Sequence, residues 1–398
     1  MTVRPSSPAR RGAALLLSVL SLLSALPAAG CARILETERL SVTPHAELPA
    51  SAHGEEIPEA SEYSELRGAV YDILTRGQVS GRINIFEYSG DPELDLDAAR
   101  EDILLRDAFG SYALSDISFD ITPIVSYYEV TAELSYRRSR AQLDTIVTAS
   151  TERYLRTELL EMLSSHRADA AIRTRLPGIF GEETLGLVSE IYYENPLRVV
   201  MLPIATAEVY PPEPTEGGER LIELTFGYSQ LSSVLSRFSE WLRSAARDIA
   251  ESASGANDGE ILLSLCRSLA ELAEYDSAAA ALSEYPTQSL SATAYGALLG
   301  GAAIGEGYAM AYKALCDSLS LPCIVVLGTR DGQRHAWNIV SADGVYYHVD
   351  PAMCDAEGFE TAFLKSDEEM PEWYEWDRAR YPACEGGAPY EWLAADQN

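Results

Sequence analysis

The stretch HAWNIVSADGVYYHVD, residues 335–350, decides the fold of the C-terminal part of this chain. Its residues predict two strands, one on each side of Ala342-Asp343-Gly344, and this tripeptide is typical of a tight turn. The resulting hairpin begins at His335 and ends at Asp350, and we expect these two residues to lie opposite each other to within one residue of register. Cβ atoms that face each other across a hairpin are ~5 Å apart, so a bond from the His335 ring to the Asp350 carboxylate is feasible.

A helix and a buried strand are predicted just before this hairpin. The helix opens at Gly305-Glu306-Gly307-Tyr308-Ala309 and runs to about Leu319, and residues 324–328 form the strand. A helix start, an imidazole and an orienting carboxylate are the parts that activate a thiol nucleophile, because the helix dipole stabilises thiolate and the imidazole takes the proton.

Together with Ala294-Tyr295-Gly296-Ala297-Leu298, these blocks resemble the transglutaminase-like superfamily, whose core is related to papain-like cysteine proteases. Bacterial members typically read Ala-Tyr-Gly-Ala-Leu, then Val-Cys-Glu-Gly-Tyr-Ala, then His-Ala-Trp-Asn, then Val-Asp. The resemblance covers about residues 285–385. It implies an α+β domain with a helix packed on an antiparallel sheet, with His335 and Asp350 as the family's histidine and aspartate. Gly305 stands where the family has its nucleophilic cysteine.

Four residues beside these positions are predicted to line a binding groove: Glu306, Tyr308, Trp337 and Asn338. Trp337 alternates onto the same strand face as His335, and a core position suits it equally well. Glu306 follows Gly305, which we call the vacant position. The helix dipole favours an acid in the first turn of a helix, and this explains Glu306 better than a role as catalytic base does.

His335, His348 and Asp350 have the composition of a facial metal site. We rank this metal alternative well below a buried or surface histidine at position 348, because no recognised ligand motif surrounds it. No cofactor is expected.

No cysteine of the predicted connector or domain offers a replacement nucleophile. Cys316 lies eleven residues after Gly305, which is roughly 16 Å along a helix. Cys323 and Cys266 are predicted to be buried. Cys354 and Cys384 are predicted to form a disulfide, given an oxidising compartment.

Residues 1–30 have the features of an export signal: a basic start, a short apolar run and small residues before Cys31. The ending Ala28-Ala29-Gly30-Cys31 resembles the bacterial lipobox, which implies lipidation of Cys31 and an extracytoplasmic protein held on the membrane. An ordinary secreted protein with an incidental Cys31 is the alternative. Residues 31–62 predict an acidic, flexible tether.

The middle of the chain predicts two small α+β modules, residues 63–150 and 151–229, each with the order αβαββ. Glu133-Leu134-Ser135-Tyr136 and Glu223-Leu224-Thr225-Phe226 echo each other, so a duplication is one interpretation and two unrelated stretches the other. A helical connector, residues 230–285, leads to the transglutaminase-like domain, residues 286–398.

The formal net charge of −31 argues against a nucleic-acid-binding protein, since no basic surface is available for phosphates. Three hypotheses follow. The first is a pseudoenzyme that binds peptide or cell-envelope polymer in the groove. The second is an active amide hydrolase or acyl transferase that works without a thiol at position 305, and the third is a metal-dependent activity. Gly305 favours the first, and the sequence does not indicate an oligomeric state.

Overall fold

The computed structural model describes residues 57–282 and 288–386. The predicted signal peptide, Cys31 and all but the last residues of the tether lie outside the described residues. Within the described ranges no helix is both long and apolar enough to cross a membrane.

The first module is a four-stranded sheet with helices packed against it. Its strands have the order β1-β2-β4-β3, with β1 parallel to β2 and the other pairs antiparallel. Leu66, Val70 and Ile73 form the buried stripe of the first helix. The elements are β1 Glu59–Ala60, α1 Tyr63–Thr75, β2 Ser80–Ile85, α2 Pro92–Leu105, α3 Ala108–Ala113, β3 Leu114–Ile124 and β4 Tyr127–Tyr136.

The second module, which follows the short helix α4 (Arg140–Leu143), has the same design. Its strands have the order β5-β6-β8-β7, again with one parallel pair at the start and antiparallel pairs elsewhere. The elements are β5 Val147–Ala149, α5 Glu152–Ser164, β6 Asp169–Thr174, α6 Gly181–Glu194, β7 Ile204–Tyr210 and β8 Arg220–Gly227. Each module thus has one short strand before the predicted αβαββ order. Strand β5 belongs to the second sheet, although we predicted from the sequence that residues 147–149 lie in the first module.

The two echoing sequences occupy equivalent strands. Residues 133–136 lie in β4 and residues 223–226 lie in β8, each of which is third in its sheet order. Leu134 and Leu224 point into the core of their modules. The common topology agrees with a duplication, whose origin stays a prediction.

The C-terminal part contains a five-stranded antiparallel sheet of order β14-β13-β12-β11-β15 and a separate two-stranded parallel pair, β9 and β10. The connector supplies two long helices, α7 and α8. A 3₁₀ turn at Leu290–Ala292 and a π-helical turn at Gly296–Gly300 precede β10. The elements are α7 Ser232–Ser252, α8 Asp258–Leu272, β9 Glu274–Tyr275, α9 Ser277–Ala280, β10 Ala302–Ala303, α10 Gly305–Ser318, β11 Cys323–Arg330, β12 Gln333–Ala342, β13 Val345–Val349, α11 Pro351–Glu357, α12 Phe359–Ala362, β14 Phe363–Lys365 and β15 Tyr374–Trp376.

Helix α10 is the centre of this part. It packs on β11 and β12 on one side and on α7, α8 and α11 on the others, so every residue from Gly305 to Cys316 is buried. Glycine permits the close approach at its first turn, because a Cβ at Gly307 would lie 2.2 Å from the carbonyl oxygen of Ser291. The predicted mixed α+β class is confirmed, and the N-terminal end of α10 is fixed against its neighbours.

Candidate functional site

The first residue of α10 meets the His335 ring on β12. An ideal Cβ added to Gly305 would lie 2.4 Å from Cε1 and 2.5 Å from Nδ1 of His335. Real Cβ atoms do not approach other atoms so closely, so the ring occupies the space that a side chain at position 305 would need. The structure thus brings Gly305 and His335 together, and the contact depends on the absence of a side chain at 305.

His335 is oriented by Asp350. Its Nε2 lies 2.6 Å from Oδ2 of Asp350, and the Tyr374 hydroxyl donates to the same oxygen at 2.6 Å. The other carboxylate oxygen, Oδ1, accepts the backbone N–H of Met353 at 3.2 Å. Because a carboxylate only accepts, the proton of the neutral imidazole is on Nε2, and the Nδ1 lone pair faces Gly305.

The register of the hairpin differs from the expectation. Asn338 pairs with Val349, so Asp350 is alongside Trp337 and two residues away from the position opposite His335. The prediction of a register within one residue was therefore wrong. The contact forms nevertheless because Asp350 lies beyond the last residue of β13, as the N-cap of α11, and its carboxylate reaches diagonally.

The Asp350 carboxylate is held in its charged form. Burial by itself raises the pKa of Asp350, but His335, Tyr374 and the Met353 N–H together outweigh burial and lower the pKa below its ordinary value. An ionised, fully bonded carboxylate can only orient the imidazole, which is the role that the family resemblance implies for it.

Glu306, the residue after the vacant position, is also buried. Its carboxylate accepts from the Tyr193 hydroxyl and lies 3.4 Å from Nη2 of Arg334. Burial raises the pKa of Glu306, and Arg334 and Tyr193 oppose the rise. Tyr193 belongs to α6, so the second module contributes directly to the surroundings of the site. Sequence reasoning missed Tyr193, which precedes Glu306 by 113 residues and carries no motif.

The predicted groove residues do not line a groove. Tyr308, Trp337 and Asn338 have no exposed surface, and Glu306 is almost fully covered. The Tyr308 hydroxyl donates to the Ala273 carbonyl at 2.8 Å, and the Asn338 amide donates to the Ala309 carbonyl at 3.0 Å. The groove prediction was wrong because α10 is covered on all sides; Tyr308 and Asn338 hold the helix against its neighbours instead.

The predicted metal set is not assembled. His335 and Asp350 bond each other, whereas His348 bonds Asp367 through Nε2 at 2.8 Å and accepts the Trp337 indole N–H on Nδ1 at 2.9 Å. The metal alternative with His335, His348 and Asp350 was therefore wrong.

In the part of the chain that the structure describes, the compact group of metal-ligand type is His348, Asp367 and Cys384. Its chemistry does not fit a metal well. A cation on Nε2 of His348 would move the imidazole proton to Nδ1, where it would meet the Trp337 N–H, also a donor. We therefore interpret Trp337, His348 and Asp367 as a buried hydrogen-bond chain that supports β12 and β13.

The predicted disulfide between Cys354 and Cys384 is not formed. All five cysteines of the described residues are free thiols. Cys354 lies near Cys266, and Cys384 lies near Asp367. The prediction was wrong because α8 and α11 pack together, which gives Cys354 a partner that its position in the sequence does not show.

A cleft of about 500 Å³ lies between α6 and the outer edge of β11. Tyr193 lines this cleft and also bonds Glu306, so it connects the cleft to the first turn of α10. Arg380 and Glu190 face each other at 3.1 Å on its two walls. The lining residues are Gly186, Ser189, Glu190, Tyr193, Glu194, Lys313, Cys323, Ile324, Val325, Leu327, Arg380 and Tyr381.

Comparison with known proteins gives only distant likenesses. No family model matches the chain, and no curated protein does. Among solved structures, it is similar to a TGase with 12% identity and a TM-score of 0.24, over 56% of this chain and 65% of the other. A proposed cysteine protease from Cytophaga hutchinsonii has 15% identity and a TM-score of 0.23, over 38% and 66%. A proposed protease from Parabacteroides distasonis has 9% identity and a TM-score of 0.22, over 68% and 39%.

The chain spans less than two thirds of the length of each of these three proteins. Likenesses at these TM-scores do not assign the chain to a family.

Proposed function

We propose that this chain is a cell-envelope lipoprotein whose transglutaminase-like domain is a pseudoenzyme that binds peptide or envelope polymer. One observation carries the proposal: the His335 ring occupies the space of the missing side chain at Gly305. A nucleophile at this position would have to displace the ring. The site is therefore complementary to glycine and retains only the orienting pair, His335 and Asp350.

The chemistry of acyl transfer explains why this loss is decisive. A thiol splits a difficult transfer into two easier steps, and glycine has no atom for the first attack. The described cysteines do not compensate, because each is buried and has another neighbour: Cys316 contacts Cys323, and Cys354 contacts Cys266. Burial raises the pKa of the Cys316 and Cys354 thiols, which disfavours the reactive thiolate.

The cleft between α6 and β11 is the binding surface that we propose. A Cβ at Gly186 would meet no atom within 4 Å, so the wall of the cleft is open at this point. Tyr193 lines the cleft and bonds Glu306, so a segment bound in the cleft would lie near the first turn of α10. Clefts of this size are the usual place for small ligands and peptide side chains.

Filling this cleft tests the proposal. Gly186→Trp places an indole in the open space and should abolish cosedimentation of the full chain with purified cell-wall polymer, or its binding to capped peptides of mixed sequence. Glu182→Trp is the matched control, because this exposed residue lies one turn earlier on α6 and does not line the cleft. Equal binding by both variants and the unchanged chain would contradict this binding surface.

An active amide hydrolase is the second candidate, and one observation favours it. Asp350 orients the His335 ring, so a water that reached Nδ1 would meet a general base. Such hydrolysis would be weak, would be lost in His335→Ala and would survive alkylation of all accessible thiols. The absence of hydrolysis above the His335→Ala rate would exclude this candidate.

Location at the membrane is a separate part of the proposal. Lipid chains on Cys31 would hold the protein with ~0.8 kcal/mol per buried CH₂. Cys31→Ser should move the protein from the membrane pellet to the soluble extracytoplasmic fraction. Retention of the variant in the pellet would mean that another segment anchors it.

A further inference from the structure

The outer edge of β11 is only partly covered. Strand β12 pairs with the whole of β11 on one side, from Cys323 to Arg330. On the other side β15 pairs only with residues 328–330. In the part of the chain that the structure describes, no strand pairs with residues 323–327 on this side, which we call the free edge. The free edge forms one wall of the cleft between α6 and β11.

The pairing of β11 with β12 shows which backbone groups point to the free edge. The turn between these strands has two residues, so its flanking pair, Arg330 and Gln333, is hydrogen-bonded. In an antiparallel pair, every second residue directs its N–H and C=O to the partner strand. The even-numbered residues of β11 therefore bond β12, and Cys323, Val325 and Leu327 direct their N–H and C=O groups to the free edge.

Two side-chain contacts agree with this direction. The Leu327 N–H donates to the Tyr381 hydroxyl at 3.0 Å, and the Cys323 carbonyl accepts from Nζ of Lys313 at 3.0 Å. Val325 lies between these contacts. Among the described residues, neither a strand nor a side chain bonds its N–H or C=O at the free edge. The Val325 side chain belongs to the hydrophobic core, so Val325 offers its backbone to the cleft.

We propose that the cleft binds an extended peptide segment, which pairs with the free edge of β11 as an added strand. This inference rests on the proposed function and specifies its ligand as a peptide main chain. The unpaired N–H and C=O of an edge strand are the groups that pair with another strand. A peptide running in either direction would bond both groups of Val325. A glycan has no alternating N–H and C=O groups that match them.

The walls of the cleft suit an uncharged segment. The cleft has a volume of about 500 Å³, and Gly186 on α6 leaves its opposite wall open. The charged side chains that line the cleft have partners in the chain: Arg380 pairs with Glu190 at 3.1 Å, and Lys313 pairs with Asp317 at 3.0 Å. The cleft therefore has no need of a charged ligand, and we expect the hydrogen bonds of the main chain to provide the recognition.

N-methylation of a peptide tests this inference, because it removes main-chain N–H groups and keeps the side chains. The probe is a fluorescein-labelled, amidated hexapeptide of alternating threonine and valine, and its binding to the full chain is measured by fluorescence anisotropy. Methylation of every second residue leaves one edge of the peptide free and should preserve binding. Methylation of every residue should weaken binding by about tenfold or more, since hydrogen bonds to Val325 are lost.

Hydrogen exchange locates the added strand on β11. The amide of Val325 should exchange more slowly when the unmodified peptide is bound to the full chain. The amides of Ile324 and Val326 are the matched controls, because they already bond β12, and their exchange should not change. Unchanged exchange at Val325 in the saturated complex would overturn the inference.

The remaining outcomes separate this inference from the proposed binding surface. Equal binding of the unmodified and the fully methylated peptide, lost in Gly186→Trp, would overturn main-chain pairing and keep the cleft as the binding surface. No binding of the peptide, together with cosedimentation with cell-wall polymer that is lost in Gly186→Trp, would assign the cleft to a glycan and also overturn it. Peptide binding that Gly186→Trp leaves unchanged would contradict both proposals.

Discussion

The ring of His335 lies against the backbone of Gly305, with Nδ1 2.5 Å from the place where a Cβ would be. On its other side the ring bonds the Asp350 carboxylate at 2.6 Å. The imidazole is thus held between Asp350, which orients it, and Gly305, which has no side chain that could exchange a proton with it. This relationship accounts for the proposed loss of thiol chemistry and leads to the following predictions.

Gly305→Ala should destabilise the protein by about 1–3 kcal/mol, because the new methyl group would force the His335 ring or α10 to shift within a packed core. The free energy of unfolding in urea measures the effect. An unchanged midpoint would mean that the ring moves freely and that the vacant position is not specifically filled.

Gly186→Ala is the matched control for this substitution. It also adds one methyl group to a glycine in a helix, but its Cβ would meet no atom within 4 Å. Because alanine is the better helix former, we expect Gly186→Ala to stabilise the protein by up to about 1 kcal/mol. The two substitutions should therefore change the free energy of unfolding in opposite directions.

Gly305→Cys should create a reactive thiol. The helix N-terminus and the His335 imidazole both favour thiolate, so the pKa of the new cysteine should fall. We expect it to react with iodoacetamide near neutral pH faster than a free thiol does. Hydrolysis of amides need not return, because the thiol must first displace the ring.

The dependence of this reactivity on His335 is the control. The double variant Gly305→Cys with His335→Ala should lose most of the rate advantage. A new thiol that reacts no faster than free cysteine, or that is equally fast without His335, would contradict the proximity of the helix start and the imidazole.

Asp350→Asn should destabilise the protein on the order of 3 kcal/mol at neutral pH, since the charged acceptor of three hydrogen bonds is lost. The lowered folded pKa of Asp350 gives stability that is complete above its ordinary value of 3.8 and is lost as the pH falls through the lower folded value. The variant should therefore lose less stability on acidification than the unchanged chain. Urea unfolding at several pH values between neutral and acidic measures this.

The contribution of Glu306 to stability should depend on pH with the opposite sign to that of Asp350. Burial raises its pKa above 4.5, so its contribution becomes unfavourable as the pH rises through that range. Glu306→Gln should remove this loss. If Asp350→Asn and Glu306→Gln reduced the loss of stability at acidic pH by the same amount, the pKa values of the two carboxyl groups would not be shifted in opposite directions.

The C-terminal helices and strands were predictable because short stretches of sequence indicate them. Ala342-Asp343-Gly344 predicted the turn, and the order of strands and helix around residue 305 followed from the motif. The register of Asp350 was not predictable, since it depends on α11, whose N-cap is that same residue. A cap and a strand end are hard to distinguish in sequence.

Residues that act through long-range contacts were missed. Tyr193 and Tyr374 reach Glu306 and Asp350 from other elements, and neither lies in a recognisable motif. Burial of Tyr308 and Asn338 was missed for the same reason, because the sequence of one helix or strand does not show how many neighbours will cover it. The proximity of Cys354 to Cys266 likewise depends on the packing of two helices.

Acyl-transfer activity of the unchanged full chain, with and without prior alkylation, tests the central claim most directly. The assay supplies an amide donor peptide and a labelled primary amine, and it records ammonia release and amine incorporation before and after treatment with iodoacetamide. We predict no amine incorporation in either sample and no difference in ammonia release between them. A measurable activity that disappears when a native cysteine is alkylated would contradict the claim that this domain has lost its thiol chemistry.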